Sequence, residues 1–282
     1  MTVCKVCFRH CDIKEGRTGA CGARSVRDGR VVPDSYGRIT SLALDPIEKK
    51  PLSRFYPGSK ILSVGSYGCN LFCPFCQNYE ISRSSGSGFD EEITPEYLAK
   101  LALKYKDRGN IGVAYTYNEP LVGYEFVRDT AKLVKDMGMK NVLVTNGSVG
   151  PEIEEEILPF IDAMNIDIKS MSDKTYKDVL GGDLETVKAF ITRAVRSCHV
   201  ELTMLVVTDM NDSKEEMEEL ADWIAGLKDE RGDITGSKIP LHISRFFPRY
   251  KMCDREATDV GRIYELADTA REKLEYVYTG NC

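Results

Sequence analysis

The sequence has no long apolar run and no apolar stretch near its start. None of its segments approaches the roughly 20 apolar residues that a membrane-spanning helix needs. Its opening, MTVCKVCFRH, lacks the apolar core that a secretory leader carries. We therefore expect a cytosolic (cytoplasmic) protein with no membrane partner.

An excess of basic charge is also missing. Asp and Glu outnumber Lys and Arg by 44 to 38, the net charge is −6 and the isoelectric point is about 5.3. Binding to nucleic acid or to an anionic membrane surface needs concentrated Lys and Arg. These classes are therefore disfavoured, and we expect small molecules or proteins as partners.

Cysteine, by contrast, is abundant, with ten residues in a chain that shows no secretion signal. In a reducing compartment, such residues serve as thiolate ligands and not as disulfides. Cys69, Cys73 and Cys76 form the pattern CxxxCxxC. Three thiolates at this spacing can hold three irons of a [4Fe-4S] cluster and leave the fourth iron open. The alternatives are buried apolar cysteines or half of a zinc site.

This spacing, with Phe75 directly before the last cysteine, resembles the signature of the radical S-adenosylmethionine (SAM) enzymes. The resemblance implies that the open iron binds the amino and carboxylate groups of SAM. It further implies that one electron cleaves SAM to give a 5'-deoxyadenosyl radical. A low-potential donor such as a flavodoxin or ferredoxin is expected to supply that electron. An open cluster is destroyed by oxygen, so we expect an anaerobic or oxygen-avoiding cell.

The pattern along the chain predicts an α/β fold with one barrel domain and a small appendage. Residues 1–57 are rich in Gly, Arg and Cys without a helical or strand period, which indicates a Cys-rich N-terminal metal-binding segment. Residues 58–282 alternate short apolar runs with amphipathic stretches, as repeated βα units do. The predicted strands lie at about 61–67, 111–116, 141–145, 163–168, 200–207, 240–246 and 276–279. The predicted helices lie at about 95–107, 121–137, 151–157, 185–197, 213–228 and 256–273. Together they predict a partial (β/α)6 TIM-type barrel.

Chemistry in such barrels collects at the carboxyl ends of the strands, and polar residues stand there in this sequence. Asn118 and Glu119 occupy the place of the GGE-type element of radical SAM enzymes, which implies contact with the ammonium of SAM; the alternative is a turn at a helix start with a capping Asn. Asp167 and Lys169, two residues apart on a strand, share a face. They suit ribose, the methionine carboxylate or a monovalent cation, with a structural ion pair as the alternative.

Two more residues are candidates for SAM binding. His242 resembles the histidine of glycyl-radical activases that approaches the methionine end of SAM, and its alternative is a buried core histidine. Phe75 is expected to stack on the adenine, and its alternative is ordinary packing.

A second cysteine group lies near the start of the chain. Cys4, Cys7, Cys11 and Cys21 stand in a segment too short to build its own core. Four thiolates there predict a closed structural site, for which zinc is slightly favoured over an auxiliary iron-sulfur cluster.

Seven motifs together resemble the AmmeMemoRadiSam system radical SAM enzymes, which are relatives of pyruvate formate-lyase activating enzymes. The motifs are DPIEKKPL (45–52), FYPGS (55–59), GCNLFCPFCQN (68–78), YTYNEP (115–120), VTNG (144–147), NIDIKS (165–170) and HISRFFPRYKM (242–252). The resemblance implies a SAM-cleaving oxidoreductase encoded or fused alongside AMMECR1-like and Memo-like proteins, and it leaves the substrate open.

Three functions remain. The first is an enzyme that abstracts hydrogen from an unidentified acceptor in the AmmeMemo system. The second is an activase that installs a glycyl radical on a partner enzyme; the position of the four extra cysteines, before the CxxxCxxC motif, counts against it. The third is an electron carrier that does not cleave SAM.

Overall fold

The fold, described by a computed structural model over residues 1–86, 88 and 91–282, is built on one eight-stranded sheet. The strands are β1 (Thr2–Val3), β2 (Asp12–Ile13), β3 (Arg24–Arg27), β4 (Arg30–Pro33), β5 (Ser41–Pro46), β6 (Lys60–Gly65), β7 (Asn110–Tyr115), β8 (Lys140–Thr145), β9 (Ala163–Asp167), β10 (His199–Val206), β11 (Leu241–Arg245) and β12 (Val277–Gly280). The helices are α1 (Tyr79–Ser82), α2 (Pro95–Lys104), α3 (Tyr124–Asp136), α4 (Pro151–Ile157), α5 (Leu184–Ala194), α6 (Lys214–Ala225) and α7 (Val260–Arg271).

The sheet follows chain order from β5 to β12, and the seven strands from β6 onward run parallel. One of the helices α2 to α7 lies between each pair of successive parallel strands. All seven predicted strands and all six predicted helices are confirmed, with ends displaced by a few residues. No ladder joins β12 to β5 in the part of the chain that the structure describes, so the barrel is open, as predicted.

The helices form where the apolar positions recur at helical spacing and a cap begins the first turn. In α3, Phe126, Val127, Ala131 and Val134 are buried on one face. The side chain of Thr94 accepts a hydrogen bond from an amide in the first turn of α2, whose first residue is a proline. These local signals explain why the helix positions are readable from the sequence.

Strand β5 was not predicted. It pairs antiparallel with β6, from Ser41 opposite Gly65 to Pro46 opposite Lys60. Its burial does not alternate cleanly, because Leu42 is exposed and Asp45 is buried, so it lacks the period of a half-buried strand. The sheet therefore begins upstream of the predicted division at residue 57, which itself stays a prediction.

The segment that follows β5 closes the barrel at the amino ends of the strands. Ile47 and Leu52 are fully buried against apolar strand residues, namely Ile61, Ala114, Val142 and Ala163. The side chain of Asn165 in β9 donates to the carbonyl oxygen of Pro51 at 2.8 Å. Residues 47–55 thus form a floor beneath the barrel.

The Cys-rich N-terminal segment lies at the opposite, carboxyl end of the strands. The amide of Gly150, just after β8, donates to the carbonyl oxygen of Val6 at 3.1 Å. Arg24 forms an ion pair with Glu125 of α3 at 2.6 Å. None of the helices described here has the length and apolarity that a membrane crossing needs.

Candidate active site

A cavity of about 730 Å³ opens at the carboxyl ends of the parallel strands. Its lining includes all nine residues predicted for cluster and SAM binding: Cys69, Cys73, Phe75, Cys76, Asn118, Glu119, Asp167, Lys169 and His242. The volume lies within the range of small-molecule sites. The sequence pattern therefore brings these residues to one place, while their individual roles stay predictions.

The loop that carries the three cysteines follows β6 and is held by backbone contacts. The amide of Cys69 donates to the carbonyl oxygen of Cys21 at 3.1 Å. Gly68 has a φ of +89°, and a Cβ at this position would lie 2.7 Å from that same oxygen. Only glycine fits here without displacing the N-terminal segment.

The chemistry of the three cysteines fits an iron-sulfur cluster. All three are free thiols, and Cys73 and Cys76 are only partly buried. Burial raises the pKa of the Cys73 thiol to about 11, while the nearby Lys169 acts in the opposite direction. Burial also raises the pKa of Cys69, with the negative charge of Glu119 adding to the effect. Bound iron would offset this cost, because it stabilises the thiolate form.

The positions of the possible metal ligands add one further constraint. Within residues 1–86, 88 and 91–282, no three His, Cys, Asp or Glu side chains are arranged to hold a single metal ion. A four-iron cluster does not require such convergence, since each cysteine ligates a different iron. The loop of Cys69, Cys73 and Cys76 therefore remains suited to a cluster with one open iron.

The side chain of Asn118 holds the cysteine loop in place. Its Oδ1 accepts from the amide of Ser66 at 3.0 Å, and its Nδ2 lies 3.1 Å from the carbonyl oxygen of Tyr67 and 3.2 Å from that of Gly68. This side-chain amide is therefore engaged with backbone groups, and contact of this segment with the ammonium of SAM stays a prediction.

Glu119 is buried and joins the loops that follow β7 and β8. Its carboxylate accepts from the hydroxyl of Thr145 at 2.7 Å, the amide of Asn146 at 2.8 Å and the amide of Leu121 at 3.0 Å. Burial raises the pKa of Glu119 to about 7, although these three donors act to lower it. The bond to Leu121 caps the turn that begins at Pro120, so the capping residue is Glu119 and not the asparagine of the alternative.

Asp167 and Lys169 form an ion pair beside the cysteines. The Nζ atom of Lys169 lies 3.0 Å from Oδ2 of Asp167, and 14% of its side chain is exposed. Burial opposes the charge of Lys169, but Asp167 and Cys73 raise its pKa above the ordinary value. The alternative of an ion pair is thus realised on the wall of the cavity, which both residues line.

His242 lines the cavity but points its ring nitrogen at a carboxylate that was not predicted. Nε2 of His242 lies 2.6 Å from Oε2 of Glu201, a fully buried residue of β10. Oε1 of Glu201 also lies 2.9 Å from Nε2 of His199. The same carboxylate accepts hydrogen bonds from two amides in the floor, that of Ser53 at 2.9 Å and that of Arg54 at 2.7 Å. The signal in the sequence was Glu201 itself, a charged residue within an apolar strand.

Tyr117 is a second cavity residue that sequence reasoning missed. It has a φ of +74°, which is unusual for a residue other than glycine. Its hydroxyl donates to Asp45 at 2.7 Å, and the buried ammonium of Lys50 lies 2.9 Å from the same carboxylate. The buried ion pair from the DPIEKKPL motif therefore fixes a strained residue of the YTYNEP motif.

Phe75 is 3% exposed and lies on the cavity wall.

The four N-terminal cysteines line a separate small cavity within their own segment. The amide of Cys4 donates to the carbonyl oxygen of Cys11 at 2.9 Å. Burial raises the pKa of Cys7 to about 11, and the other three cysteines add to this shift. No three of these four cysteines are arranged to hold one metal ion, and zinc or an auxiliary cluster at this group stays a prediction.

Comparisons with known proteins identify the fold and its relatives. The family model of the Radical SAM superfamily matches residues 63–224. The chain is 41% identical to Uncharacterized protein MJ0808 of Methanocaldococcus jannaschii over 281 residues, which cover 99% of this chain and 80% of that protein. It is 31% identical to the pyruvate formate-lyase-activating enzyme of Clostridium pasteurianum over 220 residues, which cover 74% of this chain and 89% of that enzyme.

Solved structures share the architecture at low sequence identity. Streptococcus suis SuiB bound to S-adenosylmethionine superposes with a TM-score of 0.58 and 15% identity, over 77% of this chain and 48% of SuiB. A domain of pyruvate-formate lyase-activating enzyme from Bacteroides vulgatus superposes with a TM-score of 0.51 and 15% identity, over 60% of this chain and 99% of that domain. At these identities the likeness shows the fold alone.

Proposed function

Because this chain belongs to the radical SAM superfamily, we propose that it cleaves SAM reductively and abstracts hydrogen from an acceptor in an AmmeMemo-type system. Enzymes of this superfamily use a [4Fe-4S] cluster and SAM, and these are its cofactors. When bound, the cluster supplies the electron that splits SAM into methionine and a 5'-deoxyadenosyl radical.

One observation carries this proposal: the Asp167–Lys169 ion pair lines the same cavity as Cys69, Cys73 and Cys76. The three cysteines hold the cluster. Lys169, next to Cys73, is placed to meet the carboxylate of SAM, and Asp167 to meet its ribose hydroxyls or ammonium. Phe75 shields the adenine, and the floor of residues 47–55 keeps water out from below.

The direct test compares two cysteine variants after anaerobic reconstitution. With dithionite as the reductant, the parent protein and Cys253→Ala should convert SAM to 5'-deoxyadenosine and methionine, since Cys253 is exposed and away from the cavity lining. Cys73→Ala should form no 5'-deoxyadenosine above background. Parental activity in Cys73→Ala would refute the cluster assignment, and absence of cleavage by the parent would leave the electron-carrier function.

A second candidate function is activation of a glycyl radical enzyme. The identity of 31% to a pyruvate formate-lyase-activating enzyme over 74% of the chain favours it. The test is electron paramagnetic resonance of the reduced enzyme mixed with SAM and a candidate glycyl radical enzyme. A glycyl doublet would establish the activase, whereas SAM cleavage with no doublet supports the AmmeMemo acceptor.

The partners follow from the same proposal. A low-potential donor of the flavodoxin or ferredoxin type supplies the electron, and AMMECR1-like and Memo-like proteins act in the same system.

We also propose a second metal group at Cys4, Cys7, Cys11 and Cys21. Counting zinc and iron in anaerobically purified parent and Cys7→Ala protein decides its identity: loss of one zinc indicates a structural site, loss of four irons an auxiliary cluster, and no change refutes the group.

A further inference from the structure

Phe72, on the loop that carries the three cysteines, lies between two guanidinium groups. The Cζ atom of Arg9 is 4.2 Å from the centre of the Phe72 ring, and that of Arg83 is 4.6 Å from it. The ring is partly exposed. Two positive charges therefore stand at the surface directly over the cysteine loop.

These two arginines bond to main-chain oxygens rather than to carboxylates. Nε of Arg9 donates to the carbonyl oxygen of Asn70 at 2.7 Å, and Arg83 donates to those of Cys69 and Ser82. Carbonyl acceptors satisfy the hydrogen-bonding groups but leave a net charge of +1 on each side chain. No carboxylate therefore compensates the charge of either arginine, although thiolates at Cys7, Cys11 and Cys69 act on Arg9.

The segment after β11 adds more cations beside the same loop. The amide of Lys251 donates to the carbonyl oxygen of Pro74 at 3.0 Å, and the ring of Tyr250 stacks on that of Tyr79 at 4.6 Å. Arg249, Lys251 and Arg255 are exposed. We call Arg9, Arg83, Arg249, Lys251 and Arg255 the basic face.

Carboxylates do not neutralise the basic face. Among residues 1–86, 88 and 91–282, no Asp or Glu side chain forms an ion pair with any of the five residues of the basic face. The acidic residues within three positions of these five cations are four, namely Asp12, Glu80, Asp254 and Glu256. The face is therefore net positive on a chain whose total charge is −6.

We propose that the basic face docks an acidic one-electron carrier protein of the flavodoxin or ferredoxin type. This inference rests on the proposed function, because that function needs an electron at the cluster. Cys73 and Cys76 lie just behind the face and are only partly buried, so a carrier seated on it has a short path to them. In the step itself, the carrier is oxidised by one electron and the cluster is reduced by one. An anionic carrier is attracted to this face and repelled by the acidic remainder of the chain.

The test is a charge reversal on the exposed edge of the face. Arg249→Glu with Lys251→Glu leaves the two arginines that hold the loop untouched. The matched control is Lys104→Glu with Lys132→Glu, which places the same charge change on exposed positions of α2 and α3. The probe is a purified acidic flavodoxin, and its affinity for each protein is measured by fluorescence anisotropy at low and high salt.

We expect the charge reversal at residues 249 and 251 to weaken flavodoxin binding by about tenfold at low salt and the control pair by less than about twofold. Flavodoxin-driven SAM cleavage should slow in parallel, while dithionite-driven cleavage stays at the parental rate. Binding by the parent should also fall with rising salt, which tests the proposal even if the variant folds poorly.

Equal binding by parent and variant, equal loss in the control pair, or salt-independent binding would overturn the docking proposal. Failure of dithionite-driven cleavage in the parent would instead overturn the proposed function, so the two failures are distinguishable. Salt-dependent binding of RNA or of anionic lipid vesicles in place of flavodoxin would reassign the face to another partner and contradict the proposal.

Discussion

Glu201 is the buried residue on which the floor of the cavity depends. Its carboxylate accepts from two floor amides and contacts two histidines, which no apolar residue would satisfy. We expect Glu201→Gln to lower the free energy of unfolding by about 2–4 kcal/mol, because the amide cannot accept from all four donors. Urea denaturation checks this. Glu265→Gln, which removes an exposed ion pair with Arg262, should cost less than about 1 kcal/mol.

The pH dependence of this effect has a definite sign. Burial acts to raise the pKa of Glu201, but its four donors lower it from 4.5 to about 2. A carboxylate with a lowered pKa stabilises the folded state above its unfolded pKa and loses that contribution as the pH falls. The stability difference between parent and Glu201→Gln should therefore shrink between about pH 4.5 and pH 2. A difference that stays constant or grows over this range would contradict the assignment.

Gly65, the last residue of β6, leaves room for the strained Tyr117. A Cβ at Gly65 would lie 2.8 Å from Cδ2 of Tyr117, closer than real Cβ contacts, and 3.1 Å from its Cβ, which is tighter than most. We expect Gly65→Ala to destabilise the protein by about 1–3 kcal/mol through overpacking. Gly226→Ala is the control, since its Cβ would meet only ordinary contacts of 3.5 Å and more. Equal stability of the two variants in urea would refute the packing argument.

At the residue scale, what the sequence predicts depends on spacing. Cys69, Cys73 and Cys76 are recognisable because a cluster needs its ligands close together in the chain. Glu201 and Asp45 also bond to residues far away in sequence, namely His242 and Tyr117, and no local pattern predicts those partners. His242 was located correctly at the cavity, but its carboxylate partner required the register of neighbouring strands.

At the element scale, the N-terminal segment supports the cysteine loop. Arg9 reaches both the carbonyl oxygen of Asn70 and that of Gly181, and Cys21 accepts from the amide of Cys69. The segment therefore contributes to the active site through the geometry of this loop.

We expect Arg9→Ala to loosen the cysteine loop without unfolding the barrel. Amide hydrogen exchange in residues 69–73 should accelerate by about tenfold, because the side chain that ties the loop down is lost. Exchange in β8 to β11 should not change. Arg17→Ala, an exposed arginine in the same segment, is the control. Unaltered exchange of the loop in Arg9→Ala would show that this contact does not hold it.

The elements themselves were largely predictable, with one informative exception. The parallel strands are apolar runs buried on both faces, and the helices between them have clear amphipathic periods. Strand β5 carries the buried Asp45 and ends in Pro46 at the edge of the sheet. Such a strand is specified by its pairing with β6 and by the hydrogen bond between Asp45 and the distant Tyr117, which a local pattern does not contain.

At the scale of the whole molecule, an open barrel surrounds a cavity that is closed at one end by its floor and bounded at the other by the cysteine loop. The fold class and the cofactors follow from the motifs and the family. The acceptor of the radical does not, because the wall that would select it has no sequence pattern of its own and consists of single residues from separate strands.

The most direct test of the account is whether SAM binds the open iron beside Cys69, Cys73 and Cys76. Electron-nuclear double resonance of the reduced, reconstituted protein with SAM labelled with 15N in its amino group and 17O in its carboxylate measures this. We expect hyperfine couplings to both labels in the parent protein and none in Cys73→Ala. A four-iron cluster that shows neither coupling, or reconstitution that yields no four-iron cluster, would contradict it.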